Sequence, residues 1–317
     1  DAARRGVEVN VVVDAFGASD IPDDHVKRLE ESGASVGHYR PVRWYSIQES
    51  NYRNHRKILV VDGEMAFTGG VGVADHWLGH AQDKEHWRDS QFRIQGPVVH
   101  YLEAVFYESL AETLPRVKPE IGPTADAGPV TPAGGASSVI VSSAPKGGSG
   151  GVKRLFLVSI AASKRTLDIT TPYFVVDEST QWSLDEARKR GVRIRILVEG
   201  DRTDAKTVKW ASRSDYDALL EEGIEIYEYQ PTMIHAKATV VDGTWSIIGS
   251  ANFDNRSFDM NDEVNIGISD PSFAAAVTET FEDDLRNAKR LTLEEWRRRA
   301  LHEKANEKFW SLLGEFF

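Results

Sequence analysis

The sequence predicts an α/β fold of two repeated α/β/α sandwich lobes related by a pseudo-twofold axis. Three observations predict it. A nine-residue block occurs twice, strand-like and helix-like hydrophobic periods alternate through both halves, and 317 residues give room for two compact lobes. The block reads HRKILVVDG from His55 to Gly63 and HAKATVVDG from His235 to Gly243. Both copies fit H-x-K-x-x-x-x-D-G, and a further glycine follows each at the same distance, Gly69 and Gly249. Matched positions at one spacing, twice in a chain, mark an internal repeat.

The elements follow in order. Ala2 to Asp14 answers Ala187 to Glu199: each is the basic end of a helix, a turn glycine, then a β-branched strand. Glu30 to Val36 answers Leu220 to Ile226, a helix stopped by glycine and followed by a strand. Beyond the motifs, a strand at Gln91 to Gln95 and a helix from Val98 to Leu114 answer the strand Glu263 to Ser269 and the helix Ser272 to Lys289. Alternation of this kind argues for a largely parallel or mixed sheet. Asp1 aligns with Glu186, yet the second half has about 48 residues before that point, Ser138 to Asp185. They hold the strand SSVIVSS, the helix GVKRLFLVSIAASK and the strand TLDITTPYF. The first lobe is therefore expected to lack its N-terminal strand and helix, to leave an open sheet edge, and to be preceded by more chain in the natural protein.

The expected organisation is a first lobe at 1–114, a linker at 115–137, a second lobe at 138–290 and a C-terminal amphipathic helix at 291–317. Pro115 to Gly151 holds six of the twelve prolines and a GGSGG run, which reads as linker and surface loop. KGGSGG lacks the residue order of a phosphate loop and is read as loop. In the last segment Trp296, Ala300, Phe309, Leu312, Leu313 and Phe316 share one stripe. That stripe suits either docking on the second lobe or lying in a bilayer headgroup layer.

Composition narrows the function. Hydrophobic residues are 41% and charged residues 27%, enough for a sizeable core, and no apolar run approaches the roughly 20 residues of a membrane-spanning helix. Zero cysteines exclude disulfides, thiolate zinc sites and a cysteine nucleophile. Thirty-eight basic against 49 acidic residues give a net charge of −11, the wrong sign for a general nucleic-acid binder and unfavourable to a nuclease.

The repeated block carries the chemistry. On a strand His55 and Lys57 face one way, as do His235 and Lys237. Packed about a twofold axis, two ammonium groups would neutralise a phosphate while two imidazoles flank its phosphorus. That suits phosphodiester exchange without a metal: one neutral histidine attacks phosphorus, and the other, protonated, serves the leaving and incoming oxygens. The two histidines would need environments that push their pKa values apart. Asp62 and Asp242 complete the motif but fall on the opposite strand face, so they are read as structural turn residues. Asp89 and Glu263 are candidates to hold the second nitrogen of each imidazole. His76, His80 and His86 are read as loop histidines rather than a zinc site.

The doubled motif, with NHRKILVVDGEMAFTGGVGVADHWLG, WRDSQFRIQGP, TPYFVVDE and IHAKATVVDGTWSIIGSANFDNRSFDMNDEVN, resembles the phospholipase D superfamily, most of all the bacterial cardiolipin synthases. The resemblance implies a site at the lobe interface, a covalent phosphohistidine, and no cofactor or metal. It implies His55 as nucleophile, His235 as acid and base, and Gly70, Ser250 and Asn252 as phosphate-binding or supporting positions. Gly72 stands where relatives carry asparagine. The implied reaction condenses two phosphatidylglycerols into cardiolipin. The alternatives are a phospholipase D that hydrolyses or transphosphatidylates lipids, and a weakly active protein that binds anionic lipid. The expected partner is a phospholipid, with peripheral contact at a bacterial cytoplasmic membrane or an anchor before Asp1.

Overall fold

The computed structural model of the chain describes residues 1–41, 51–117, 132–144 and 150–311. The first lobe runs β1 (Asn10–Asp14), α1 (Asp23–Glu31), β2 (Ser35–Tyr39), β3 (Ile58–Val61), β4 (Met65–Gly69), β5 (Gln91–Gln95) and α2 (Val98–Thr113). The second runs β6 (Ser137–Ser143), α3 (Gly151–Ala162), β7 (Thr166–Thr170), α4 (Glu178–Lys189), β8 (Arg193–Glu199), α5 (Lys206–Ser214), α6 (Tyr216–Glu221) and β9 (Glu225–Tyr229). It continues with β10 (Ala238–Val241), β11 (Trp245–Gly249), α7 (Asn255–Asp259), β12 (Glu263–Ser269), α8 (Pro271–Leu285) and β13 (Ala288–Arg290). Helices α9 (Leu293–Arg297) and α10 (Leu301–Ser311) follow.

The second lobe is one mixed sheet of eight strands, ordered β13-β9-β8-β7-β10-β11-β12-β6. Strand β7 is its keystone, parallel to β8 on one side and antiparallel to β10 on the other. Helices cover the sheet, and Ile169, Ile194, Ile196, Leu184 and Phe253 form the main core. The first lobe repeats β8, β9, β10, β11 and β12 as β1, β2, β3, β4 and β5. Among the described residues nothing stands between β1 and β3 as β7 does between β8 and β10, and the sheet is divided into β1-β2 and β3-β4-β5. The open edge expected from the missing strand therefore falls inside the lobe, at β1 and β3.

Two further differences have local causes. The helix expected to reach Lys289 stops at Leu285, and Ala288–Arg290 pairs with β9 as an edge strand. The C-terminal helix is broken in two: Thr292 caps the first piece, and Arg299 folds back over Trp296 to pair with Glu307. Trp296 is buried, α10 packs along α5, and Arg213 also reaches Glu307 at 3.2 Å. That places the described part of the segment on the second lobe, with Phe309 exposed; Leu312, Leu313 and Phe316 lie outside the described residues. Most of the Pro/Gly-rich linker lies outside them as well.

The lobes meet along β4 and β11. Ala66, Val99 and Leu102 from the first lobe share a buried apolar cluster with Ile248, Val264 and Ile266 from the second. Arg88 grips Asp284 with two bonds of 2.8 Å, Arg56 donates to the Ser143 carbonyl at 3.0 Å, and Tyr39 donates to Asp262. This seam positions the site.

Candidate active site at the lobe seam

The motif histidines and lysines do not lie within a sheet ladder, as the sequence pattern suggested. Each pair occupies the extended run just before β3 or β10, and that run is tied across the seam. His55 N donates to the Asp262 carbonyl at 2.9 Å, and Asp262 N donates back to the Arg53 carbonyl at 2.9 Å. In the mirrored place Arg88 N donates to the Met233 carbonyl at 2.8 Å, and His235 N to the Arg88 carbonyl at 2.7 Å. Each lobe's motif thus borrows backbone partners from the segment leading into the other lobe's β12 or β5.

The side chains repeat the exchange. His55 Nδ1 lies 2.8 Å from Glu263 Oε1, and His235 Nδ1 lies 2.8 Å from Asp89 Oδ2. A carboxylate on Nδ1 fixes the tautomer and leaves Nε2 for substrate. Lys57 Nζ donates to the His55 carbonyl at 3.1 Å, and Lys237 Nζ donates to the His235 carbonyl at 2.6 Å. Both ammonium groups act on both imidazoles, so the four side chains share one electrostatic pocket.

Burial dominates that pocket. It drives His55 below its usual range, with Glu263 opposing and the two lysines adding to the push. His235 is drawn down to about 3, by burial first and Lys237 next, against the pull of Asp89. Lys237 falls to about 7, chiefly through burial. Burial pushes Asp89 and Glu263 upward, yet their histidine and lysine partners hold both below the usual carboxylate range. Both imidazoles are lowered, in cages that leave the His55 side chain 25% exposed and that of His235 8%.

The remaining predicted residues fall into place around this centre. Ser250 is fully buried; its hydroxyl donates to Glu263 Oε2 and accepts from Val264 N at 3.0 Å, which commits it to the carboxylate. Asn252 is buried with Oδ1 unpaired among the described residues. Gly70 is tightly enclosed, since a Cβ there would lie 2.2 Å from Asp89 Oδ1 and 2.6 Å from the His235 carbonyl oxygen. Asp62 and Asp242 sit at the far ends of β3 and β10, in turns where both central residues have positive φ: 54° and 66° in one, 54° and 68° in the other. Asp-Gly is the sequence such a turn requires. Asp242 spends its oxygens on the N–H groups of Lys164, Arg165 and Thr166 at 3.0, 2.7 and 2.9 Å, anchoring the start of β7.

Sequence reasoning missed an aromatic wall beside His235. Trp77 and Trp87 rings stand 5.5 and 5.4 Å from that imidazole, and His76 packs at a tilt against both indoles at 4.1 and 3.9 Å. It also missed Tyr173, whose hydroxyl donates to Asp204, a carboxylate acting on Lys237. The spacing of these residues in the sequence gave no sign of the site. Among the described residues His86 pairs with Asp83 at 2.7 Å, His80 is exposed, and no three metal-ligating side chains gather together.

Residues 156–285 match the family model described as "Cardiolipin synthase, PLD-like domain". That stretch is a phospholipase D-like domain by this match. The chain is 31% identical over 318 residues to the probable cardiolipin synthase YwiE of Bacillus subtilis, covering 99% of this chain and 62% of that protein. It is 35% identical over 296 residues to cardiolipin synthase A of Pseudomonas putida, covering 93% and 60%. The chain thus spans about three-fifths of the length of these curated relatives. Its fold matches the crystal structure of phosphatidylserine synthase from Haemophilus influenzae with a TM-score of 0.74 at 14% identity, over 99% of this chain and 84% of that one.

Proposed function

We propose that the chain is a phosphatidyltransferase that condenses two phosphatidylglycerol molecules into cardiolipin and glycerol. The observation that carries this reading is the crossed pair of imidazole–carboxylate bonds, His55 with Glu263 and His235 with Asp89, in a pocket shared with two lysines. His55 Nε2 attacks the phosphorus of the first lipid; the bond from phosphorus to the headgroup glycerol breaks, and His235 delivers a proton to that oxygen. A glycerol hydroxyl of the second lipid then returns its proton to His235 and attacks the phosphatidyl-histidine, freeing His55. Lys57 and Lys237 stabilise the phosphoryl oxygens as charge builds, in a site where burial strengthens each interaction. Before substrate arrives both imidazoles are held neutral, and the incoming phosphodiester anion offsets the lysines and allows His235 to take up its proton.

Several features support a transferase over simple hydrolysis: the buried state of His235 and Lys237, the aromatic wall and the relatives' names. No helix among the described residues is long and apolar enough to cross a membrane. Incubation with labelled phosphatidylglycerol in vesicles tests the proposal. Cardiolipin with equimolar glycerol is expected. Phosphatidic acid would replace it with a phospholipase D, and lipid binding without product would replace it with a binding protein.

A further inference from the structure

The two carboxylates that hold the histidines are themselves held by different devices. In the second lobe Gly249 is followed by Ser250 and Asn252, and the Ser250 hydroxyl donates to Glu263. In the first lobe the same two positions are Gly70 and Gly72, so neither side chain is present. Asp89 still has a donor on each oxygen. Ser90 N donates to Oδ1 at 2.7 Å, and the Trp77 indole Nε1–H donates to Oδ2 at 2.9 Å, the same oxygen that faces His235. The indole reaches it through the space a side chain at 72 would fill. A Cβ on Gly72 would lie 2.8 Å from both Trp77 Cη2 and Trp77 Cζ3.

We propose that Trp77 is a positioning residue of the first lobe, whose indole N–H holds Asp89 by its His235-facing oxygen where the Ser250 hydroxyl holds Glu263 by the oxygen turned away from His55, and that glycine at 72 serves to admit it. This rests on the proposed reaction only for its kinetic readout. The groups facing His235 are Asp89, Lys237 and Lys57, with the rings of Trp77 and Trp87 against it. Removing the indole donor leaves Asp89 a stronger base, so His235 holds a proton to higher pH while aligned less well.

The test compares Trp77→Phe, which keeps an aromatic ring and loses the N–H, with the unaltered chain. A charge-assisted hydrogen bond of ordinary strength predicts kcat lower by roughly ten- to a hundredfold with KM within about twofold. Nitrogen NMR of labelled histidine should show the His235 midpoint rising and that of His55 unmoved. Phenylalanine matching tryptophan in kcat and in the His235 midpoint would overturn the proposal, as would equal movement of both histidines. Gly72→Asn tests the second half. It should be damaging alone and add nothing on top of Trp77→Ala, so that the two costs fail to sum; additive costs would overturn the assignment of Gly72. The titration needs no substrate, so a chain inert toward phosphatidylglycerol would refute the reaction and still decide the role of Trp77.

Discussion

The two lobes carry one motif on unequal scaffolds. In the second, β8 and β12 are buried along almost their whole length in an eight-stranded sheet. In the first, β1 is only half-buried, β3 and β5 alternate with exposed positions, and the sheet is split. The imidazole–carboxylate geometry is nevertheless the same on both sides, 2.8 Å in each. Across that difference between the described sheets, the reciprocal backbone bonds and exchanged carboxylates at the seam stay symmetric.

The strongest way to break this comparison is to remove the imidazoles one at a time. His55→Asn and His235→Asn should each lower turnover on the order of 10⁴-fold or more, since groups acting as a unit fail together. If either variant keeps more than roughly a few per cent of activity under the same lipid assay, the lobes do not share one centre.

The crossed carboxylates come next. Glu263→Gln and Asp89→Asn should each cost on the order of 10²–10⁴-fold in kcat, because the wrong tautomer is then favoured on the imidazole they face. The effect must cross the seam. Glu263→Gln should move the nitrogen NMR signals of His55, and a response confined to His235 would refute the pairing.

Scaffold inequality is sharpened by stability. Ile196→Ala in the buried β8 should cost about 2–5 kcal/mol in denaturant unfolding. Val61→Ala, on a strand position 43% exposed, should cost about 0.5 kcal/mol or less. Equal losses would mean that both sheets bear load alike.

The last effect is on pH dependence. His235 titrates at about 3 in the folded chain and near 6.5 when unfolded. Between those values only the unfolded chain binds the proton, so stability falls as pH drops through that window, by up to about 1.4 kcal/mol per unit. His235→Gln should flatten the fall in melting temperature between pH 7 and 5. His55→Gln is the companion measurement, and a steeper slope in either variant would contradict the buried, neutral imidazoles.

Much of this was legible in the residues. The repeat singled out His55, Lys57, His235 and Lys237, because matched spacing has no folding explanation, and it named β6, α3 and β7 as the elements without counterparts. Asp89 and Glu263 could be named as partners, but the exchange between lobes could not, since sequence order says nothing about which strand faces which across a seam. Trp77 and Tyr173 were hidden because their roles depend on loop paths that carry no period. The break at Arg299 escaped because helical periodicity runs through Arg297 to Ala300, while the ion pair with Glu307 that turns the chain is a tertiary event.

The exchange of carboxylates has a consequence for biosynthesis. During translation the first lobe emerges with His55 but without Glu263, which is some 200 residues further along. Until the second lobe has folded against it, that imidazole has no anionic companion on Nδ1, and no partner histidine stands opposite. Under the proposed reaction a half-folded molecule lacks Glu263 and His235, and the full set of site residues comes together only when the two lobes close on each other.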